Sequence, residues 1–128
     1  MVVDSSVLVA VVLQEPNTIQ FLHKLTEAEA LNISAVTLTE ASMVLLSRGG
    51  HVKVEVLDAL LERFRVQVIP VDRTQSVLAR DAFDRYGKGR DKAHLNVGDC
   101  FVYALAKYYG EPLLFQGDDF THTDVSPA

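Results

Sequence analysis

One cysteine, Cys100, is all that the 128 residues contain. An internal disulfide is thereby excluded, and the chain suits a reducing compartment, which points to the cytoplasm. Cys100 lies on the apolar side of a helical pattern, where a small buried filler is the expected role rather than a nucleophile. Tryptophan is absent, and so is any uncharged apolar run near the ~18 residues of a membrane span, so no membrane association is expected. The apolar stretch from Val7 to Leu13 follows Asp4 and has no basic leader, which argues against a secretory signal. An excess of cations is also missing. The net charge of −5 argues against generic nucleic-acid binding, which needs cations against phosphates, although divalent ions in an acidic site would offset much of it. His23, His51, His94 and His122 show no ligand spacing, and no Cys/His cluster exists, so zinc is not expected. The chain has no G-x-x-x-x-G-K-[ST], no G-x-G-x-x-G and no G-x-S-x-G, which removes the P-loop, dinucleotide and serine-hydrolase readings.

What is present is an alternation of short apolar runs and helical patterns, in a length that suits one domain with a real core over residues 1–128. Met1 to Val3 reads as a buried strand, and Ser5-Ser6 can cap a helix starting near Val7. Pro16 restarts the chain at a helix first turn, with Ile19, Phe21, Leu22 and Leu25 as its apolar side. Leu31 to Ser34 reads as a strand, and Thr37 to Leu46 as a helix ended by Gly49-Gly50. Leu57, Leu60, Leu61 and Phe64 stand at i, i+3, i+4 and i+7 of another helix. Val66 to Ile69 is a strand stopped by Pro70, and Thr74 to Tyr86 is helical. Phe101, Ala104, Leu105 and Tyr108 repeat the helical spacing up to Gly110, before a last strand at Leu113 to Phe115 and a possible short one around Val125. Strands alternating with helices predict an α/β protein with three layers, α/β/α, around a mainly parallel central sheet.

Acids recur where a strand-like run gives way to a helix or loop: Asp4, Glu40, Asp99, and the pair Asp118-Asp119. A parallel sheet gathers strand ends at one rim, where such folds place their sites. Carboxylates gathered there repel one another unless neutralised, and a hard cation such as Mg²⁺ or Mn²⁺ suits their oxygens. The pattern therefore points to metal-dependent phosphoryl chemistry. Each acid also has a purely structural reading. Thr37-x-x-Glu40 and Asn96-x-x-Asp99 fit capping boxes, Asp4 can cap the helix that follows it, and Asp118-Asp119 can shape a turn. Capping explains helix starts but not why the acids share one rim, and a helix N-terminus also keeps a carboxylate ionised for metal binding. The one compositional outlier is the basic, glycine-punctuated stretch Arg85 to His94, readable either as a phosphate grip through Arg85, Lys88, Arg90 and Lys92 or as a solvated turn.

Taken together, these segments resemble the PIN-domain ribonucleases, in particular the VapC-type toxins of bacterial toxin–antitoxin pairs. The resemblance is carried by Met1 to Ala10, Ser34 to Leu45, Leu95 to Ala106 and Leu113 to Asp124, and spans essentially the whole chain in order. It implies a PIN-like α/β/α domain and Mg²⁺- or Mn²⁺-dependent cleavage of RNA. It also implies a small antitoxin that occludes the site, and a homodimer. Asp4, Glu40 and Asp99 carry over as metal-site carboxylates. Many PIN sequences place an acid after a threonine just beyond the last strand; here that stretch is Phe115-Gln116-Gly117, so the fourth role passes to Asp119 or Asp118, with Asp119 preferred and Asp124 behind both. In this reading Asp4 and Asp99 hold the principal ion, Glu40 orients a water or acts as base, and Ser6 donates a hydrogen bond to phosphate or to a ligand of the ion. The alternatives are a receiver-like signalling module, a haloacid-dehalogenase phosphatase or a PIN-like domain that only binds partners. The first wants an acidic pair after the first strand and the second wants Asp-x-Asp, whereas this chain has Asp4-Ser5-Ser6. The third would have no need of so many acids.

Overall fold

A computed structural model describes residues 1–128. The chain runs β1 (Val2–Val3), α1 (Ser5–Val12), α2 (Thr18–Glu27), β2 (Asn32–Ser34), α3 (Ala35–Gly49), α4 (His51–Arg63), β3 (Gln67–Ile69), α5 (Arg73–Tyr86), α6 (Val97–Tyr109) and β4 (Leu113–Leu114), then a single 3₁₀ turn at Asp119–His122. That is the order of strands and helices expected from the sequence. The strands are too short to alternate visibly along their length, but neighbouring residues still divide between the two faces of the sheet. Val3, Ile33 and Leu114 join one apolar core with residues of α1 to α4, while Val2 and Leu113 join a second with residues of α5 and α6. The result is three layers, α/β/α, with every strand pair parallel.

Strand order is β3-β2-β1-β4. The chain moves outward from β1 to β3 and then crosses back to lay β4 on the other side of β1. Parallel order reverses at β1, and the crevice beyond the carboxyl ends of the strands at such a reversal is where α/β sheets bind ligands. Asp4 is the first residue beyond β1.

Helix α1 shows how deep this rim is. Val7 to Val12 are all buried, because the helix is enclosed by α2, α3 and α4 rather than lying on the surface. Leu57 and Leu61 bury the inner face of α4, with Leu60 and Phe64 packed beside them, as the spacing predicted. Cys100 is buried and unpaired.

Several boundaries differ from the sequence reading. The first helix begins at Ser5, with Asp4 rather than Ser5-Ser6 as its cap. Pro16 lies just outside α2, whose first residue is Thr18. Helix α3 begins at Ala35, because β2 runs straight into it and Ser34 both ends the strand and caps the helix through its hydroxyl (3.1 Å to the Val36 N–H). The proposed Thr37–Glu40 capping box is therefore absent, and the Thr37 hydroxyl is buried without a partner. Near Val125 there is only an isolated parallel bridge between Leu113 and Pro127.

Leu45 of α3 is fully buried in the core that α1 to α4 form against the sheet. Leu45→Ala is expected to lower unfolding free energy by about 2–5 kcal/mol in urea denaturation. A loss below about 0.5 kcal/mol, typical of surface sites, would contradict the packing described.

Candidate active site

Asp4 is held by its own helix. The Ser6 N–H and hydroxyl both donate to its Oδ2, at 3.1 and 2.5 Å, and Ser6 Oγ in turn accepts the Gln116 N–H at 3.0 Å. The backbone after β4 thus fixes the serine that fixes the carboxylate. Oδ1 of Asp4 is buried and has no partner. The hydroxyl hydrogen of Ser6, expected to reach phosphate or a ligand of the ion, is donated to Asp4, itself one of the expected ligands.

Glu40 lies in the second turn of α3 and accepts a 3.2 Å hydrogen bond from the Ser5 hydroxyl. Its carboxylate rests against the first turn of α6 at Gly98, where a Cβ would stand 2.0 Å from Oε2. A glycine there disfavours the helix by about 1 kcal/mol but leaves room for the carboxylate. This contact was not anticipated, because a glycine inside a helical pattern does not by itself show what packs against it.

Asp99 does form the capping box with Asn96: its N–H donates to Asn96 Oδ1 at 2.9 Å, and its Oδ2 accepts the Asn96 N–H at 3.1 Å. Asp119 opens the exposed 3₁₀ turn, and its negative charge acts on both Asp4 and Asp99. The charge of Asp118 is not among the principal ones raising either. Asp124, the weakest candidate, stands elsewhere, between Tyr103, Lys107 and Arg85.

None of Asp4, Glu40, Asp99 and Asp119 is ion-paired. Burial raises the pKa of Asp4 above its ordinary 3.8 despite the Ser6 bonds, and the charge of Asp119 adds to the rise. Burial and the Asp4 charge raise Glu40 against the Ser5 bond. Asp99 rises to about 7, first through burial and then through the charges of Asp4, Asp119 and Glu40, with the Asn96 bond opposing. The four carboxylates form one electrostatic unit, yet no three acidic, histidine or cysteine side chains stand close enough to grip a cation as placed. The donor chemistry nevertheless fits a hard divalent ion: it is all carboxylate oxygen, uncompensated, with one buried oxygen still lacking a partner.

The basic stretch is a closed loop, with Leu95 N–H donating to the Tyr86 carbonyl and Lys88 N–H to the Leu95 carbonyl, both at 2.9 Å. It leads directly into Asn96, the cap of α6. Two of its arginines are already engaged. Arg85 contacts Asp81 (3.7 Å), Asp124 (3.6 Å) and the Tyr86 hydroxyl (2.9 Å), and Arg90 is paired with Asp84 at 2.7 Å. A phosphate grip by Arg85 would have to compete with these partners for its guanidinium. Lys88 and Lys92 are exposed and have no ion-pair partner. Asp91 shapes the turn, accepting the Ala93 N–H at 3.0 Å.

The PIN domain profile matches residues 1–126. The chain belongs to the PIN-domain family. Ribonuclease VapC30 of Mycobacterium tuberculosis is 42% identical over 127 residues, covering 98% of this chain and 96% of that protein, which places this PIN domain with the VapC ribonucleases. The fold is shared with VapC20 of M. tuberculosis, described as a sarcin–ricin loop cleaving toxin: TM-score 0.82 at 17% identity, over 99% of this chain and 97% of that one. It is also shared with a chain of a toxin–antitoxin complex from Klebsiella pneumoniae, with TM-score 0.74 at 14% identity, over 96% and 92%. No helix is long and apolar enough to cross a membrane.

A carboxyl whose pKa is higher in the folded chain keeps its proton longer when folded. Its contribution to stability is present below the unfolded value, 3.8 for Asp99, and is lost as pH climbs through the folded value of about 7. Without divalent cation, the melting temperature should therefore fall across that window. Asp99→Asn should flatten the fall and melt higher than the parent at neutral pH. A variant that melts no higher than the parent there would contradict the crowding.

Proposed function

We propose that residues 1–128 act as one endoribonuclease unit, the toxin of a toxin–antitoxin pair, which hydrolyses RNA phosphodiester bonds with a divalent cation, Mg²⁺ or Mn²⁺. The observation that carries this reading is the group of uncompensated carboxylates at the strand rim, with Asp4 Oδ1 buried and unpartnered, in a chain of the VapC ribonuclease family. Asp4 and Asp99 would hold the ion, each kept in orientation through its Oδ2, by Ser6 and by Asn96. Glu40 and Asp119 would complete the acidic set. When bound, such an ion supplies Lewis acidity at the scissile phosphate and neutralises the carboxylates. Glu40, with its raised pKa, is suited to accept the proton of the attacking water. Lys88 and Lys92 would hold flanking phosphates, with Arg90 contributing only as far as Asp84 releases it.

The cytoplasm is the proposed location, since the one thiol, Cys100, is buried and unpaired. A small antitoxin covering the site, and a second copy of the chain, are the proposed protein partners. Apolar surface beside the carboxylates supports such covering. Val36, Met43 and Val97 line an open hollow of about 450 Å³ with Glu40 and Gly98, and Val97 is 73% exposed.

Asp99→Asn should abolish RNA cleavage in Mg²⁺ while the chain stays folded, and full activity in that variant would overturn the assignment. Between the neighbours, Asp119→Asn should weaken cation affinity strongly and Asp118→Asn little, as read by calorimetry; the reverse order would move the fourth role to Asp118. For RNA binding, followed by fluorescence anisotropy in the Asp99→Asn background, Lys88→Ala with Lys92→Ala should flatten the log–log salt slope by roughly 1.4, at about 0.7 per lost phosphate contact. An unchanged slope would make the loop a solvated turn.

A further inference from the structure

Asp119 sits on a single exposed 3₁₀ turn, an element with little rigidity of its own. Two features tie the segment beyond β4 to the body of the protein. Phe120 is buried in the apolar core that α5 and α6 share with Val2 and Leu113. Four residues further on, Asp124 accepts the Tyr103 hydroxyl at 2.5 Å and pairs with Lys107 at 3.1 Å, and the same lysine donates to the Asp124 carbonyl at 3.2 Å. Tyr103 is almost wholly buried, so its hydroxyl needs a protein partner, and Asp124 supplies one. Arg85 closes the network from α5, 3.4 Å from the tyrosine oxygen and 3.6 Å from the carboxylate.

Asp99, Tyr103 and Lys107 are spaced i, i+4, i+8 and therefore share one face of α6. The segment carrying Asp119 and Asp124 runs along that face. Asp119 acts on Asp99 at the helix start, while Asp124 engages Tyr103 and Lys107 one and two turns further on. We propose that Asp124 is a positioning residue, locking the terminal segment in register on α6 so that Asp119 is presented to Asp4 and Asp99. The inference rests on Asp119 being one of the cation-holding carboxylates. It also accounts for the placement of an acid among cations and a tyrosine hydroxyl, where it serves the site through the backbone it anchors.

The test is Mn²⁺ affinity, measured by calorimetry on the full chain for Asp119→Asn, Asp124→Asn, Tyr103→Phe and the Asp119→Asn/Asp124→Asn pair. Asp124→Asn and Tyr103→Phe should each weaken Mn²⁺ binding by about tenfold or more, the usual consequence of losing a group that orients a ligand. In the Asp119→Asn background, Asp124→Asn should cost nothing further, because the residue it positions is gone. A merely structural acid would lower the melting temperature without this loss of additivity. Wild-type affinity in Asp124→Asn beside weak binding in Asp119→Asn would overturn the lock and leave the Asp119 reading intact. Wild-type affinity in Asp119→Asn would overturn both. If Asp124→Asn does not fold, Tyr103→Phe, which keeps the buried ring, carries the same comparison.

Discussion

Asp4 is a carboxylate that the fold buries without a counter-charge, and much of the architecture exists to keep it there. It follows the central strand of a parallel sheet, at the point where strand order reverses, with β2 on one side and β4 on the other. The β4 side holds it directly: its own N–H donates to the Leu114 carbonyl, and its serine is held by Gln116. Burying unpaired negative charge is costly. The cost is offset by two apolar cores, one on each face of the sheet, that share the strands. A site that opposes folding in this way is the usual companion of function rather than of stability.

Helix capping and cation binding first look like rival explanations of the acids, but the geometry makes them complementary. Asp4 caps α1 with Oδ2, and Asp99 closes its capping box with Oδ2. In each case one oxygen fixes the orientation of the side chain and the other is left out of the cap. The cap hydrogen bonds also lower the carboxyl pKa values that burial and mutual repulsion raise. A carboxylate that would otherwise swing or protonate is thus held in place and kept nearer to ionisation. Glu40 is different. It belongs to no cap, because α3 starts earlier than its Thr37 suggested, and it is steadied by Ser5 and by the space that Gly98 leaves.

The order of strands and helices was legible because apolar spacing is a local signal, and so was the clustering of acids at strand ends, since a parallel sheet brings those ends together. The start of α3 was not. Ser34 serves as strand end and helix cap at once, and the pattern beyond it cannot reveal that no loop intervenes. The fate of Arg85 was also hidden, because Tyr103 and Asp124 reach it from far along the chain. Asp118 and Asp119 could not be separated by sequence, since neighbours in a turn differ only in where the backbone points them; the structure shows that Asp119 begins the 3₁₀ turn and that its charge acts on Asp4 and Asp99. Asp124 looked like a spare ligand for the same reason. Its partners are Tyr103 and Lys107 on α6 and Arg85 on α5, and only packing brings them to it.

These arrangements bear on how an acidic protein engages RNA. Two of the four cations in the basic loop are committed to aspartates of their own chain, which leaves Lys88 and Lys92 as the free ones. The carboxylate rim repels a phosphate backbone until something neutralises it. A divalent ion there would remove the repulsion and supply attraction at the same point, so cation and RNA would each strengthen the binding of the other, as thermodynamic linkage requires. The surface outside the rim then has little need to be strongly basic. A net charge of −5, which alone argues against a nucleic-acid enzyme, is what such a division of labour would leave.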